Sequence, residues 1–205
     1  MRMEPIKSLD TIRDMEMTLA ALDGFHGRRL FLLFEVGIRT GLRIGDMVGL
    51  RVGDLRGQRS YSFIPQKQAK KAARNHDPKL TITIDPQLRK ILAARCAEQP
   101  DSAWLFPSRK RSTGGNAKHI TRQTAYDDLQ RIQQITGCTT HLGCHSLRKT
   151  FGYQYYRRHQ DIAVLQKWFY HSNPATTMIY IGITEDDFRK MTDSSPFGSA
   201  DDLPL

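Results

Sequence analysis

The stretch that most constrains the fold is Leu-Phe-Leu-Leu-Phe-Glu-Val at residues 30–36. It is apolar on nearly every side of a helix, and a helix of that kind is stable only when other elements surround it. A second helix is predicted before it, beginning after Ser8, because apolar residues recur there at helical spacing, namely Ile12, Met15, Leu19 and Leu22. The chain is therefore expected to fold around one buried central helix.

The hydrophobic pattern changes period in the second quarter of the chain. Residues 61–65 and 79–84 are rich in β-formers, and the second run alternates polar with apolar side chains. Between them, residues 66–74 form a strongly basic segment that we interpret as a hairpin tip. Helices are predicted again at 86–97, 121–135, 145–158, 161–169, 174–180 and from about 184. The predicted fold class is mainly α with a small antiparallel β-sheet (α+β), the sheet having three strands.

Charge is the first indication of a partner. Lys and Arg number 31 against 21 Asp and Glu, a net charge of +10 at pH 7. A basic body is steered towards polyanions, and blocks of basic residues favour a nucleic-acid footprint over a merely solvated surface. Within the predicted hairpin, Lys70, Lys71 and Arg74 are the candidate DNA-binding residues.

Cysteine usage and hydropathy bear on the compartment. Three cysteines are an odd count that forms no disulfide framework and fits a reducing environment. The N-terminus lacks the apolar core of a signal peptide, and no apolar run approaches the roughly 18 residues that span a bilayer. We therefore expect a soluble, cytoplasmic protein without a membrane partner.

One cluster of soft ligands suggests an alternative based on zinc. Cys138, His141, Cys144 and His145 lie within eight residues of one another. A structural zinc site usually takes paired ligands from a second segment, and the remaining cysteine is Cys96. We expect no metal and no cofactor, with Cys138 and Cys144 acting as small buried hydrophobic residues.

The last third of the chain indicates phosphate chemistry. His145 and Arg148 are three residues apart, which places an imidazole and a guanidinium on one helical face. His171 and Tyr180 follow. A planar cationic fork, two imidazoles and a phenol suit phosphoryl transfer better than acyl or sugar chemistry.

Three ordered segments together resemble the active site of the tyrosine recombinases, which comprise phage integrases, Xer resolvases and fimbrial-switch invertases. The segments are Thr40-Gly-Leu-Arg-Ile-Gly-Asp46, His145-Ser-Leu-Arg-Lys-Thr150 and His171-Ser-Asn-Pro-Ala-Thr-Thr-Met-Ile-Tyr180, with the basic segment between the first two. The resemblance implies a recombinase catalytic domain over residues 1–193, with a flexible acidic tail at 194–205. A separate N-terminal core-binding (clamp) domain is not expected, so the chain either acts with one domain or is a catalytic fragment.

By this resemblance, Tyr180 is the nucleophile that attacks the scissile phosphate and forms a 3′-phosphotyrosyl link. Arg43 and Arg148 would hold the non-bridging oxygens, a role that suits bidentate forks. Asp46, one turn after Arg43, would be the acidic residue that orients this arginine. The sequence departs from the family where most members have glycine before the second histidine, because Tyr170 stands there.

The resemblance assigns the proton transfers to three further side chains. Lys67 would protonate the departing 5′-oxygen, with Lys70 or Lys71 as alternatives close by. His145 would assist proton transfer around the tyrosine, and His171 would hydrogen-bond the phosphate. None of these roles uses a metal or ATP.

The predicted function is site-specific DNA recombination by a homotetramer on double-stranded DNA. Exchange of the C-terminal helix at about residues 184–191, through Phe188 and Met191, would join the protomers. The free protein is expected to be a monomer or dimer, nucleoid-associated when bound to DNA. A type IB topoisomerase and a DNA-binding regulator that keeps the fold without using the nucleophile are the alternatives.

Overall fold

A computed structural model describes residues 3–69, 79–111 and 117–192 of the chain. The predicted tail at 194–205 and the candidates Lys70, Lys71 and Arg74 lie outside these residues. Within them the elements, in chain order, are α1 (Leu9–Ala20), α2 (Gly24–Thr40), α3 (Ile44–Met47), α4 (Val52–Leu55), β1 (Ser60–Phe63), α5 (Gln66–Ala69), β2 (Leu80–Thr83), α6 (Pro86–Arg95), β3 (Pro107–Arg111), β4 (Ala117–His119), α7 (Arg122–Thr136), α8 (Ser146–His159), α9 (Ile162–Phe169), α10 (Pro174–Ile181) and α11 (Glu185–Thr192).

The centre of the molecule is α2, as predicted. Its side chains Leu33, Phe34 and Val36 are completely buried, and the helix packs against α1, α6, α7 and α8. The helix ends at Gly41, whose φ of 60° is the left-handed conformation that glycine adopts at low cost. The prediction of a buried central helix is confirmed.

Side-chain caps explain where the predicted helices begin. The Ser8 hydroxyl accepts from the backbone N–H of Thr11 at the start of α1, 3.1 Å away. The carboxylate of Asp85 does the same at α6, and Thr121 and Asn173 precede α7 and α10 in equivalent positions. These residue types satisfy the unpaired N–H groups of a first helical turn, which is why the sequence located the starts within a residue or two.

The strands differ from the predicted three-stranded sheet. In the described part of the chain they form two separate antiparallel pairs, β1 with β2 and β3 with β4. The β1–β2 register runs from Ser60 opposite Thr83 to Phe63 opposite Leu80. The prediction missed β3 and β4 because neither has the alternation of polar and apolar residues that marks a half-buried strand.

A buried ion pair fixes α2 against α7. Arg29 donates through Nε and Nη2 to the two carboxylate oxygens of Asp128, at 2.7 and 2.8 Å, and the side chains are 6% and 2% exposed. Removing one partner of such a pair typically costs about 3–5 kcal/mol, because the other charge stays buried. The pair therefore sets the position of α7, whose first turn lies beside the candidate site.

A smaller apolar cluster forms between α8, α9 and α10. Its fully buried members Leu165, Phe169 and Ile181 hold α9 and α10 on α8, and Tyr180 packs at its edge. The predicted catalytic segments therefore share one packing unit. No helix in the described residues is long and apolar enough to cross a membrane.

Candidate active site

All six side chains predicted to be catalytic line one cleft of about 220 Å³. Arg43 lies in the turn before α3, and Lys67 lies on α5. His145 and Arg148 lie at the start of α8, His171 lies in the α9–α10 turn, and Tyr180 lies on α10. Phe169 and Tyr170 complete the lining. The fold therefore brings together residues that are up to 137 positions apart.

Two arginines form the floor of this cleft, and backbone carbonyls hold both of them. Arg43 directly precedes α3 and donates from Nη2 to the Phe169 carbonyl, 3.0 Å away. Arg148 is only 3% exposed and donates to the carbonyls of Gly41 and Trp168. Its guanidinium carbon also lies 4.2 Å from the centre of the Phe169 ring. The end of α9 thus positions both guanidinium groups.

The two arginines concentrate positive charge in the cleft. Burial, and to a lesser extent the nearby charge of Arg43, lowers the pKa of Arg148 to about 10, so it stays protonated at neutral pH. In the described part of the chain neither arginine forms an ion pair with a carboxylate. A buried charge without a carboxylate partner is costly, and an anion bound in the cleft would offset that cost.

Tyr180 and His145 face one another across the cleft. The phenolic oxygen lies 3.1 Å from Nδ1 of His145, and the two rings are perpendicular. Burial raises the pKa of Tyr180, although the positive charges of Arg148 and Arg43 oppose this effect. Partial burial and four positive side chains, Arg148 first, lower the pKa of His145. A neutral imidazole at hydrogen-bonding distance can accept the phenolic proton.

His171 lies on the other side of the tyrosine ring, with ring centroids 5.0 Å apart. Its Nδ1 is 3.0 Å from the hydroxyl oxygen of Thr177, which fixes the ring plane. Tyr170, the residue before it, ends α9 with a φ of 57°. A residue with positive φ at a helix end is usually glycine, and most family members have glycine here. Tyr170 instead carries a backbone strain of roughly 1–2 kcal/mol.

Lys67 lies on α5, a single helical turn in the connection between the antiparallel strands β1 and β2, where the sequence predicted a hairpin tip. Asp46 differs from its predicted role. Its carboxylate accepts a 2.9 Å hydrogen bond from the backbone N–H of Gln66, and within the described residues no hydrogen bond or ion pair joins that carboxylate to the Arg43 side chain. The backbone N–H of Asp46 donates to the Arg43 carbonyl at 2.9 Å. Asp46 lies in the first turn of α3, where its side chain reaches the start of α5. Its contact is therefore with the helix that carries Lys67.

A second cavity, of about 550 Å³, adjoins the catalytic cleft and shares Arg43, Lys67 and His145 with it. Its lining also includes Gln66 and Arg122, which sequence reasoning did not single out. Nη2 of Arg122 donates to Oε1 of Gln66 at 2.9 Å. The sequence signal for Arg122 is its position directly after the helix cap Thr121, because a long basic side chain there projects from the first turn of α7.

The possible zinc ligands are not assembled. Across residues 3–69, 79–111 and 117–192, no group of three or more His, Cys, Asp and Glu side chains is placed to hold a metal ion. Cys138 is buried in the main core, and Cys144 packs against that core, where burial raises the pKa of its thiol. Cys138 therefore has the buried packing predicted for a small hydrophobic residue, whereas Cys144 is half-buried and lines the second cavity.

Comparison with known sequences identifies the relatives of this chain. The profile of the phage integrase family matches residues 12–186. The probable integrase/recombinase YoeC of Bacillus subtilis is 33% identical over 186 residues, which cover 91% of this chain and 93% of that protein. The tyrosine recombinase XerD of Bradyrhizobium diazoefficiens is 27% identical over 181 residues, covering 80% of this chain and 51% of the relative.

Solved structures show the same fold. The XerA recombinase aligns over 93% of this chain and 65% of its own, with a TM-score of 0.66 at 19% identity. The XerH recombinase in a post-cleavage complex with its difH substrate aligns over 93% and 52%, with a TM-score of 0.67 at 17% identity. This chain thus spans between half and two thirds of the length of these structures. With a matched family profile, a relative above 30% identity and the recombinase fold, the chain belongs to the phage integrase family of tyrosine-type site-specific recombinases.

Proposed function

We propose that this protein cuts and rejoins DNA strands at specific sites through a transient covalent bond to Tyr180. The observation that carries the proposal is the cleft in which the Tyr180 hydroxyl contacts His145 beside two arginines, neither of which has a carboxylate partner among the described residues. XerH, a structural relative, is named as a recombinase bound to its DNA substrate after cleavage, which supports DNA as the partner here. Residues 1–193 would act as the catalytic domain.

The arginines would bind the scissile phosphate. Arg43 donates one N–H to a backbone carbonyl and Arg148 donates two, and because a guanidinium has five N–H groups, both keep donors for the non-bridging oxygens. Because the backbone holds them before DNA arrives, they stabilise negative charge in the transition state without reorganising. A bound phosphate would also raise the pKa of His171, whose protonated Nε2 could then donate to the same phosphate.

The chemistry would proceed as a transesterification. The Tyr180 oxygen forms a bond to phosphorus, its proton passes to His145, and the bond from phosphorus to the 5′-oxygen breaks. Lys67 gives a proton to that leaving oxygen. The phosphotyrosine keeps the energy of the broken bond, so attack by a 5′-hydroxyl reverses the step and reseals DNA without ATP.

Recombination between two duplexes needs more than one active site. We extend the proposal to a homotetramer on DNA, joined by exchange of α11 between neighbours, with a monomer or dimer in the absence of DNA. In this chain α11 is held by hydrogen bonds of Asp187 to Lys7, Tyr153 and Thr184. The side chains of Phe188 and Met191, predicted to mediate the exchange, are not among those that the structure describes.

Trapping the covalent intermediate tests the proposal. Wild-type protein, incubated with a library of nicked duplexes, should give a protein–DNA band that survives denaturation, because the short cleaved strand diffuses away and prevents resealing. Tyr180→Phe should abolish the band and keep DNA binding within about twofold, since only the nucleophilic oxygen is lost. Tyr155→Phe is the matched control, because this half-buried tyrosine contacts Phe151 and His159 away from the cleft.

Sequencing the trapped strand gives the target site and separates the alternatives. Strand exchange between two copies of the site indicates a recombinase, whereas relaxation of supercoils without exchange indicates a topoisomerase. A band that persists in Tyr180→Phe would contradict the assignment of the nucleophile. Binding without a band on any duplex would favour the DNA-binding regulator.

A further inference from the structure

Gln66 connects the helix of the lysine to the rest of the active site through three hydrogen bonds. Its backbone N–H donates to Asp46 Oδ1 at 2.9 Å, and its side-chain nitrogen donates to the Gly45 carbonyl at 3.0 Å. Its side-chain oxygen accepts from Arg122 at 2.9 Å. These three hydrogen bonds fasten the start of α5 to α3 and α7.

Lys67, the next residue, needs such fastening. Its ammonium sits at the end of a flexible, exposed four-carbon side chain, which has several rotatable bonds and no fixed direction of its own. The turn that carries it has only four residues, and helices of this length are not stable by themselves in water. The position of Lys67 therefore depends on contacts made outside the turn.

The contacts of Gln66 connect Lys67 to α3, the helix that Arg43 directly precedes. Both Gly45 and Asp46 belong to α3. A shift of α3 therefore moves Arg43 and the Gln66 docking site together. Glycine at position 45 leaves room for this contact, because a Cβ there would lie 2.4 Å from Nη2 of Arg122 and would displace the guanidinium from its place beside Gln66.

We propose that Gln66 is a positioning residue for the leaving-group proton, which docks α5 on α3 and Arg122 so that Lys67 reaches the 5′-oxygen. The inference rests on the proposed function, in which Lys67 donates that proton. Gln66 itself does not touch the reacting atoms. Its loss should slow the step that needs the proton and leave the other steps unchanged.

A substrate with sulfur in place of the bridging 5′-oxygen isolates this step. A thiolate leaves without being protonated, so cleavage of the 5′-phosphorothiolate does not need the acid. Single-turnover cleavage by Lys67→Ala should fall by about 10²–10⁴-fold on ordinary DNA, the usual contribution of a general acid, and recover on the sulfur substrate. The cleavage rate of Gln66→Ala should fall by roughly tenfold on ordinary DNA and return to within about twofold of wild type on the 5′-phosphorothiolate substrate.

Gln87→Ala is the matched control. Gln87 is also an exposed glutamine in a first helical turn whose backbone N–H is bonded to an aspartate, here Asp85, but it does not line the cleft. Its variant should match wild type on both substrates. A purely structural role for Gln66, in folding or in DNA binding, would slow both substrates equally in Gln66→Ala.

The outcomes separate the inference from the function on which it rests. Equal slowing of Gln66→Ala on both substrates, or no slowing on either, would overturn the positioning role while Lys67→Ala is still rescued by sulfur. If sulfur fails to rescue Lys67→Ala, the assignment of Lys67 as the acid is wrong, and the role of Gln66 falls with it. Rescue of both variants supports the inference.

Discussion

At the scale of single residues, the candidate site shifts the pKa values of Tyr180 and His145 in opposite directions. Burial raises the pKa of Tyr180, so the phenol keeps its proton until a base removes it. Partial burial and the charges of Arg148, Lys149, Arg43 and Lys67 lower the pKa of His145, so that this base is neutral. A phenol and a neutral imidazole 3.1 Å apart are within reach for proton transfer, although the two shifts widen the gap between their pKa values.

The pH dependence of the cleavage rate should reveal the titration of His145 as the base. Measured at low substrate concentration, where the free enzyme titrates, the rate should fall by about tenfold per pH unit on the acid side, because imidazolium cannot accept a proton. The midpoint should lie below the ordinary histidine value of 6.5, since the shift is downward. His145→Gln should remove this limb.

Lys149→Met provides the control for this assignment. Lys149 lowers the pKa of His145 but does not figure among the charges that lower the pKa of His171. Removing its charge while keeping its length should therefore move the acid limb towards higher pH only if His145 is the titrating base. A limb that stays in place would point to His171 instead.

At the scale of elements, the C-terminal end of α2 contributes both to helix packing and to the candidate active site. Gly41 ends α2 with a φ of 60°, and its carbonyl accepts a hydrogen bond from the buried Arg148. A Cβ at this position would lie 2.3 Å from Cδ1 of Phe151 on α8. The close approach of α2 and α8 that positions Arg148 thus depends on the missing side chain.

Gly41→Ala should therefore lower the free energy of unfolding by more than the left-handed backbone conformation alone explains. The left-handed conformation costs an alanine about 1–2 kcal/mol, and crowding of a packed interface adds about 1–3 kcal/mol to the loss in free energy of unfolding. Gly57→Ala is the matched control, because its φ is 75° and nothing lies within 4 Å of the added Cβ. Urea unfolding of both variants measures the difference. Equal losses would show that contact with Phe151 adds nothing.

At the scale of the whole molecule, the two ends of the described chain are joined. Asp187 on α11 is buried and accepts from Lys7 Nζ at 2.6 Å, from the Tyr153 hydroxyl at 3.1 Å and from Thr184 at 2.7 Å. Burial alone would raise the pKa of Asp187, but the hydrogen bonds from Lys7 and Thr184 hold it well below its usual range. Release of α11 towards a neighbouring protomer would have to break these bonds.

Asp187→Ala should loosen α11 without unfolding the rest. Hydrogen bonds to a charged group contribute about 1.5–3 kcal/mol each, so loss of this cluster should accelerate amide hydrogen exchange in α11 by at least about tenfold. Asp186→Ala is the control, because Asp186 is exposed on the same turn. Unchanged protection of α11 in Asp187→Ala would mean that other contacts hold the helix.

The sequence by itself determined the features that depend on neighbours along the chain. The apolar run at residues 30–36 required a buried helix, and small polar residues such as Ser8 marked the helix starts, because a first turn needs side-chain acceptors. The six candidate catalytic residues were predicted from the resemblance of three ordered segments and the basic segment between them to the active site of the tyrosine recombinases.

Only the tertiary structure decided the features that depend on residues distant in the chain. Asp46 and Gln66 are 20 positions apart, Gln66 and Arg122 are 56 apart, and Arg29 and Asp128 are 99 apart. Polar contacts of this kind leave no periodic signal, since a hydrogen bond needs one donor and one acceptor in place and no repeating pattern around them. The sequence therefore predicted the candidate catalytic groups, and the packing of α2, α3, α5 and α7 decided which side chains meet, including Gln66 and Arg122.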